Sequence, residues 1–150
     1  MTEKTPLRPE DCNCLAVRQA ARHVTQFYDQ ILAPSGLRTT QFSILAKLKR
    51  RGPLTINALA AEMVMDRTTL GRNIQPLERD GLIEVVRGRA DRRRHELNLT
   101  AAGLARYRAA AQCWTAAQAR FAEVFGDERA TALRELMREI SACDFAAAAA

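Results

Sequence analysis

The apolar residues between Leu54 and Thr100 change period twice. Ile56, Leu59 and Met63 recur at the three- and four-residue spacing of one helical face, behind Thr55, whose hydroxyl can accept from the free amides of a helix start. Val64-Met65 interrupts that face as a tight turn. Asp66 then stands as the N-cap of a second helix over Arg67 to Arg79, with Leu70, Ile74 and Leu77 inward and Thr68, Arg72 and Gln75 outward. Gly81 ends this helix where a left-handed residue is needed. Leu82-Ile83-Glu84-Val85-Val86 is rich enough in β-branched residues to be a strand, and His95 to Leu99 returns beside it. Pro76 removes one backbone donor inside the second helix, which should bend its last turn without abolishing it.

On either side the pattern is purely helical. From Asp11 to Leu32, Val17, Ala21, Val24, Tyr28 and Ile31 share a face until Pro34-Ser35-Gly36 stops it. Thr39 or Thr40 caps a second helix that buries Phe42, Leu45 and Leu48. Its last turn crowds Lys47, Lys49, Arg50 and Arg51 together, either to suit the helix dipole or to lie along a phosphate backbone. Thr100 opens a long alanine-rich helix to about Phe125, carrying Leu104, Tyr107, Ala111, Trp114 and Phe121. Gly126-Asp127 breaks it and caps a last helix with the stripe Leu133, Leu136, Met137 and Ile140.

The expected fold is therefore mainly α with a small β wing, a winged helix-turn-helix plus a helical dimerisation region. The expected division is a flexible arm at 1–10, supporting and dimerising helices at 11–52, the winged unit at 53–100, dimerisation helices at 101–145 and a frayed tail at 146–150. The first and last two helices carry more apolar stripe than so small a chain can cover, which points to a homodimer interface; the alternative is packing on their own domain alone.

Charge narrows the partner. The 150 residues carry a formal charge of +6 and a sequence pI of about 9.7, so a polyanion is the first partner to consider. The field is local, because the turn from Arg87 to Arg94 holds five arginines and one aspartate. An outward helix followed by a basic hairpin is a pair suited to reading double-stranded DNA. Thr68, Thr69 and Arg72 are the candidates for base edges, with Arg67 and Asn73 joining them or holding phosphates. Arg72 leads, since a guanidinium can bond bidentately to guanine O6 and N7. Arg87, Arg89, Arg92, Arg93 and Arg94 divide between minor-groove, phosphate and structural roles.

Other chemistries are poorly supplied. No apolar run is long enough for a membrane span, and the first twenty residues lack the apolar centre of a signal peptide, so the expected compartment is the cytoplasm. Cys12, Cys14, Cys113 and Cys143 are then expected to be thiols. Cys12-x-Cys14 lacks zinc-knuckle spacing, and His23 and His95 sit in unrelated segments, so neither a metal nor another cofactor is expected. No phosphate-binding glycine loop and no nucleophile–base signature suggest an enzyme.

Several short motifs, taken in order, make the chain similar to the MarR-type transcriptional regulators over about residues 12 to 145. They are Leu59-Ala60, then Leu77-Glu78-Arg79-Asp80-Gly81-Leu82-Ile83, then Asp91-Arg92-Arg93 running into Leu97-Asn98-Leu99-Thr100-Ala101-Ala102-Gly103. The resemblance implies a dimeric DNA-binding regulator, most often a repressor, acting on a pseudo-palindromic operator. It also implies that Asp91 orients an arginine, Arg93, at the hairpin tip. A non-specific architectural DNA binder is the rival from another class.

For control, the resemblance implies one of two triggers. One is a small phenolic or lipophilic effector lodged between the dimer helices and the winged unit, for which Arg18, Arg22 and Tyr28 are candidate contacts. The other is oxidation of a cysteine. In the branch that senses organic hydroperoxides, Cys14, Arg22, Thr25 and Tyr28 coincide with its cysteine, arginine, threonine and a tyrosine, whereas Arg18 and Thr39 stand where further tyrosines would be. A thiolate at Cys14 would gain from a helix N-terminus and nearby cations, and its sulfenic acid could condense with Cys113 or Cys12. The competing reading of Cys14 is a small buried apolar residue at a dimer helix.

Overall fold

A helix start needs acceptors for its free amides, and in this chain three side chains supply them at the starts expected of them. In the computed structural model, which describes residues 7–147, the Thr55 hydroxyl accepts from Ala58 N at 3.2 Å, Asp66 from Thr69 N at 2.8 Å, and Thr100 from Gly103 N at 2.9 Å. The elements run α1 (Asn13–Leu32), α2 (Thr39–Arg51), β1 (Leu54–Thr55), α3 (Ile56–Met63), α4 (Arg67–Arg79), β2 (Ile83–Arg87), β3 (His95–Leu99), α5 (Ala101–Phe125) and α6 (Asp127–Ala142). Most of the arm at 1–10 and of the tail at 146–150 lies outside the described residues.

Two starts differ from expectation. α1 begins at Asn13 with Cys12 as its cap, the Cys12 Sγ lying 3.5 Å from Leu15 N. α2 is capped neither by Thr39 nor by Thr40. Thr39 is already its first helical residue, and its amide donates to Asp29 Oδ1 of α1 at 2.7 Å, while Gln41 Oε1 accepts from Arg38 N at 3.0 Å. The cap comes partly from a neighbouring helix, which no local motif announces.

The sheet has the order β1-β3-β2, antiparallel throughout. Val85 faces Leu97 across the hairpin, and Leu54 faces Leu97 on the other side. Behind it the three-helix unit closes on Leu45, Leu48, Leu59, Leu70, Ile74, Leu77 and Ile83, all buried. Fully burying one such side chain is worth about 1.5–3 kcal/mol. α4 continues through Pro76 to Arg79 and then closes as a Schellman turn. Leu82 N reaches Leu77 O, Gly81 N reaches Glu78 O, and Gly81 takes φ 71°.

α5 is fixed to this unit at its first turn. Thr100 Oγ1 donates to Gly81 O at 2.7 Å while capping α5, so the end of α4 and the start of α5 share one hydroxyl. Gly103 packs so closely that a Cβ there would lie 2.0 Å from Leu82 O. Farther along, Phe42 of α2 stacks between Tyr107 and Trp114 of α5, with ring centroids at 5.3 and 5.9 Å.

The outer helices are left open. Leu32 is the only buried residue of α1 and Ala130 the only one of α6. Leu15, Val17, Val124, Leu136 and Ile140 are exposed, Val124 by 71% and Leu136 by 53%. With Trp114 of α5, also exposed, each of α1, α5 and α6 thus carries at least two large exposed apolar residues.

Candidate nucleic-acid interface

The candidate recognition surface is built from α4. Arg67, Thr68, Thr69, Arg72 and Gln75 are exposed, opposite the buried Leu70, Ile74 and Leu77. Their chemistry is not equally free. Thr69 Oγ1 donates to Asp66 Oδ2 at 2.6 Å, and Asn73 Nδ2 donates back to Thr69 O at 2.9 Å. Each side chain therefore spends one donor on the helix itself. Arg67, Thr68 and Arg72 make no side-chain hydrogen bond among the described residues and keep their donors for a ligand. The Thr69 hydroxyl, then the Thr69 amide, holds the Asp66 carboxyl below its ordinary range, so the cap is ionised at neutral pH.

Entry to α4 is a sharp corner. Val64 takes φ 52° with ψ 48°, unusual for a β-branched residue. Met65 N reaches back to Ala60 O at 2.9 Å to close the turn.

At the wing, Arg87, Arg89, Arg92, Arg93 and Arg94 are all exposed. Asp91 organises the tip. Its Oδ1 accepts from the Arg93 amide at 3.0 Å, its Oδ2 lies 3.9 Å from Arg94 Nε, and its carbonyl accepts from Arg94 N at 3.0 Å. The aspartate thus fixes the backbone of Arg93 and pairs with the side chain of Arg94, leaving the Arg93 guanidinium outward. Gly88 N to Arg94 O, at 2.8 Å, closes the hairpin base.

A second site lies apart from this surface. A cavity of about 270 Å³ is walled by Val24, Thr25 and Tyr28 of α1, by Phe121 and Gln118 of α5, and by Leu133 and Arg134 of α6. The Tyr28 hydroxyl donates to Gln118 Oε1. Burial raises the Tyr28 phenol above its ordinary value, and the nearby Arg134 charge acts the other way. Arg134 has no carboxylate partner among the described residues; its Nη2 reaches only Thr131 Oγ1, at 2.9 Å. Sequence patterning missed Gln118 and Arg134, because neither falls in a motif and the cavity exists only once three helices meet.

Of the expected effector contacts, Tyr28 lines this cavity and Arg18 and Arg22 do not. Arg22 is turned about 120° around α1 from Tyr28, and Arg18 stands about 15 Å along the axis from it. The thiols also part company. Cys14 is exposed in the single chain, in the first turn of α1, one of the helices expected to pair in a dimer, whereas Cys113 is half-buried against the core. Cys14 lies about 21 Å up the helix from Tyr28. Cys113 lies on the other side of that point, between Gln118, which Tyr28 meets, and Arg106, whose Nη1 donates to Ser35 O at 3.4 Å. The fold does not bring the two sulfurs to bonding distance within one chain. Among the described residues no group of three or more His, Cys, Asp or Glu side chains could hold a metal ion, and no helix is long and apolar enough to cross a membrane.

The helix-turn-helix, its wing and their arginines coincide with a known pattern. The model of the MarR family matches residues 37–95, the span from just before α2 to the first residue of β3. The solved structure of the transcriptional regulator MosR of M. tuberculosis in complex with DNA is 38% identical, covers 89% of this chain and 99% of its own, and superposes with a TM-score of 0.74. The chain belongs to the MarR family. It is a DNA-binding transcriptional regulator and not an enzyme. The transcriptional repressor CouR, a Rhodococcus jostii RHA1 protein solved on a 23-mer DNA duplex, is 26% identical over 91% of this chain and 99% of its own, with a TM-score of 0.78. BpsR of Bordetella bronchiseptica, whose DNA binding is regulated by 6-hydroxynicotinic acid, shares the fold at 21% identity, covering 93% of this chain and 100% of its own with a TM-score of 0.81. No curated protein sequence matches the chain at a significant level.

Proposed function

We propose that this MarR-family chain is a cytoplasmic homodimeric repressor that reads a pseudo-palindromic operator with two copies of α4 and is released by a small phenolic or lipophilic effector. The observation that supports the dimer is the set of exposed apolar residues on the outer helices, Leu15 and Val17 of α1, Trp114 and Val124 of α5, and Leu136 and Ile140 of α6. A two-fold pairing of these helices would set the two α4 helices about one turn of DNA apart. In this reading Thr68 and Arg72 address base edges, Arg67 holds a phosphate, and the five wing arginines divide between the minor groove and the backbone.

The effector reading rests on the cavity between α1, α5 and α6. Its walls are largely apolar and aromatic, with Thr25, Tyr28, Thr39, Gln118 and Arg134 as its polar residues, a lining suited to a planar aromatic molecule bearing an acceptor or an anion. That BpsR is regulated by a hydroxylated aromatic acid agrees in kind. The test is fluorescence anisotropy on the DNA upstream of the protein's own gene. An aromatic acid that releases the wild type should release Arg134→Gln only at much higher concentration; equal release of both proteins would remove the cavity from the account.

A second reading, control by oxidation of Cys14, is favoured by the exposure of that thiol at the start of α1, beside the equally exposed Cys12. A stoichiometric organic hydroperoxide should then release the wild type and spare Cys14→Ser, with reductant restoring binding. If both proteins hold DNA alike after peroxide, Cys14 has no sensing role.

A further inference from the structure

Lys47, Lys49, Arg50 and Arg51 follow one another in the last turn and a half of α2, a run that repels itself unless the fold supplies an anion. α3 supplies one. Glu62 Oε2 lies 3.3 Å from Lys47 Nζ and 3.8 Å from Arg50 Nη2, and its Oε1 lies 3.3 Å from Arg51 Nε. Lys49 goes elsewhere, 5.4 Å from the centroid of the Tyr107 ring. The hydrogen bond from Lys47, aided by the charges of Arg51, Lys47 and Arg50, holds the Glu62 carboxyl below its ordinary range. It is ionised at neutral pH.

One carboxylate against these three cations leaves two positive charges unbalanced. They belong to the outer partners, since Arg50 and Arg51 side chains are 69% and 54% exposed against 31% for Lys47. Each guanidinium carries five donors and spends few on Glu62. Location matters as much as charge. Glu62 sits in the last turn of α3, five residues before Arg67, so the chain between them spans at most about 18 Å. That is about half a turn of DNA from the start of the recognition helix. A cluster that merely suited the α2 dipole would not need three side chains to converge on a carboxylate of the next helix.

We propose that Arg50 and Arg51, gathered by Glu62, form a third DNA contact, a phosphate clamp on the flank of the helix-turn-helix distinct from α4 and from the wing. Glu62 is its positioning residue. The clamp adds affinity and register and carries no sequence information.

The salt dependence of binding to a mixed-sequence duplex, read by fluorescence anisotropy, tests this directly. Replacing both arginines, Arg50→Gln with Arg51→Gln, should lower the slope of log affinity against log salt by about 2 for each bound protomer. The pair Arg50→Lys with Arg51→Lys should recover most of that slope. Arg120→Gln, on α5 and paired with Glu123, should leave it unchanged. Glu62→Gln removes a negative charge yet should weaken binding, because the cations splay without their shared anion. An unchanged slope in the double glutamine variant, with thermal melting like the wild type, would overturn the contact. Tighter binding by Glu62→Gln would overturn the positioning role.

Discussion

Gly103 shows how one residue can be fixed by a neighbour far away in the sequence. Its place in the run Leu97 to Gly103 marks it as part of a motif, but the reason for glycine is tertiary: a Cβ would collide with Leu82 O. Gly103→Ala must push α5 away from the end of α4, and should cost about 3 kcal/mol or more of stability. A denaturant titration would show it as a lowered midpoint with little change of slope. Asp66 makes a different prediction. Its folded carboxyl is held below the ordinary value, so its contribution is complete above the ordinary carboxylate range and is lost as pH falls through the depressed folded value. The wild type should therefore lose melting temperature in acid over that interval relative to Asp66→Asn, which has no charge there to lose. Parallel melting curves of the two proteins against pH would contradict this role for the cap.

At the scale of elements, legibility followed the range of the interactions. Thr55, Asp66, Gly81 and the Arg67–Arg79 helix were readable because caps and helical faces act within three or four residues. The start of α2 was misread because its amide is satisfied by Asp29 from another helix. The contacts of two candidate DNA-contacting residues were not legible for a similar reason: the Thr69 hydroxyl donates to Asp66 and the Asn73 side-chain nitrogen to Thr69 O. The helix and the wing should also separate functionally. Arg72→Ala should cost about 1–3 kcal/mol of preference for the operator, whereas Arg89→Gln should weaken every duplex alike and lower the salt slope by about 1 per bound protomer. Anisotropy on operator and scrambled duplexes across a salt series distinguishes the two. Identical losses on both sequences for Arg72→Ala would remove it from base reading.

At the scale of the molecule, the apolar stripes of α1, α5 and α6 were legible as an excess; within the protomer most of their members are half-buried, and Val17, Trp114, Leu136 and Ile140 remain exposed. The cavity was not legible, because Tyr28 lies about ninety and more residues from Gln118 and Arg134 in the chain and only packing assembles them. The same is true of the anion at Glu62 that gathers the cations of α2. All of these features bear on one claim, that two copies of this chain act together on a specific DNA sequence. Leu136→Glu places a charge in the exposed stripe, and should turn a dimer into a monomer in sedimentation while leaving the winged unit folded. The most direct measurement is sedimentation of the labelled upstream duplex titrated with the protein, alongside a scrambled duplex. We expect two chains per duplex and a preference of about a thousandfold or more for the upstream sequence. One chain per duplex, or equal affinity for the scrambled DNA, would contradict the account.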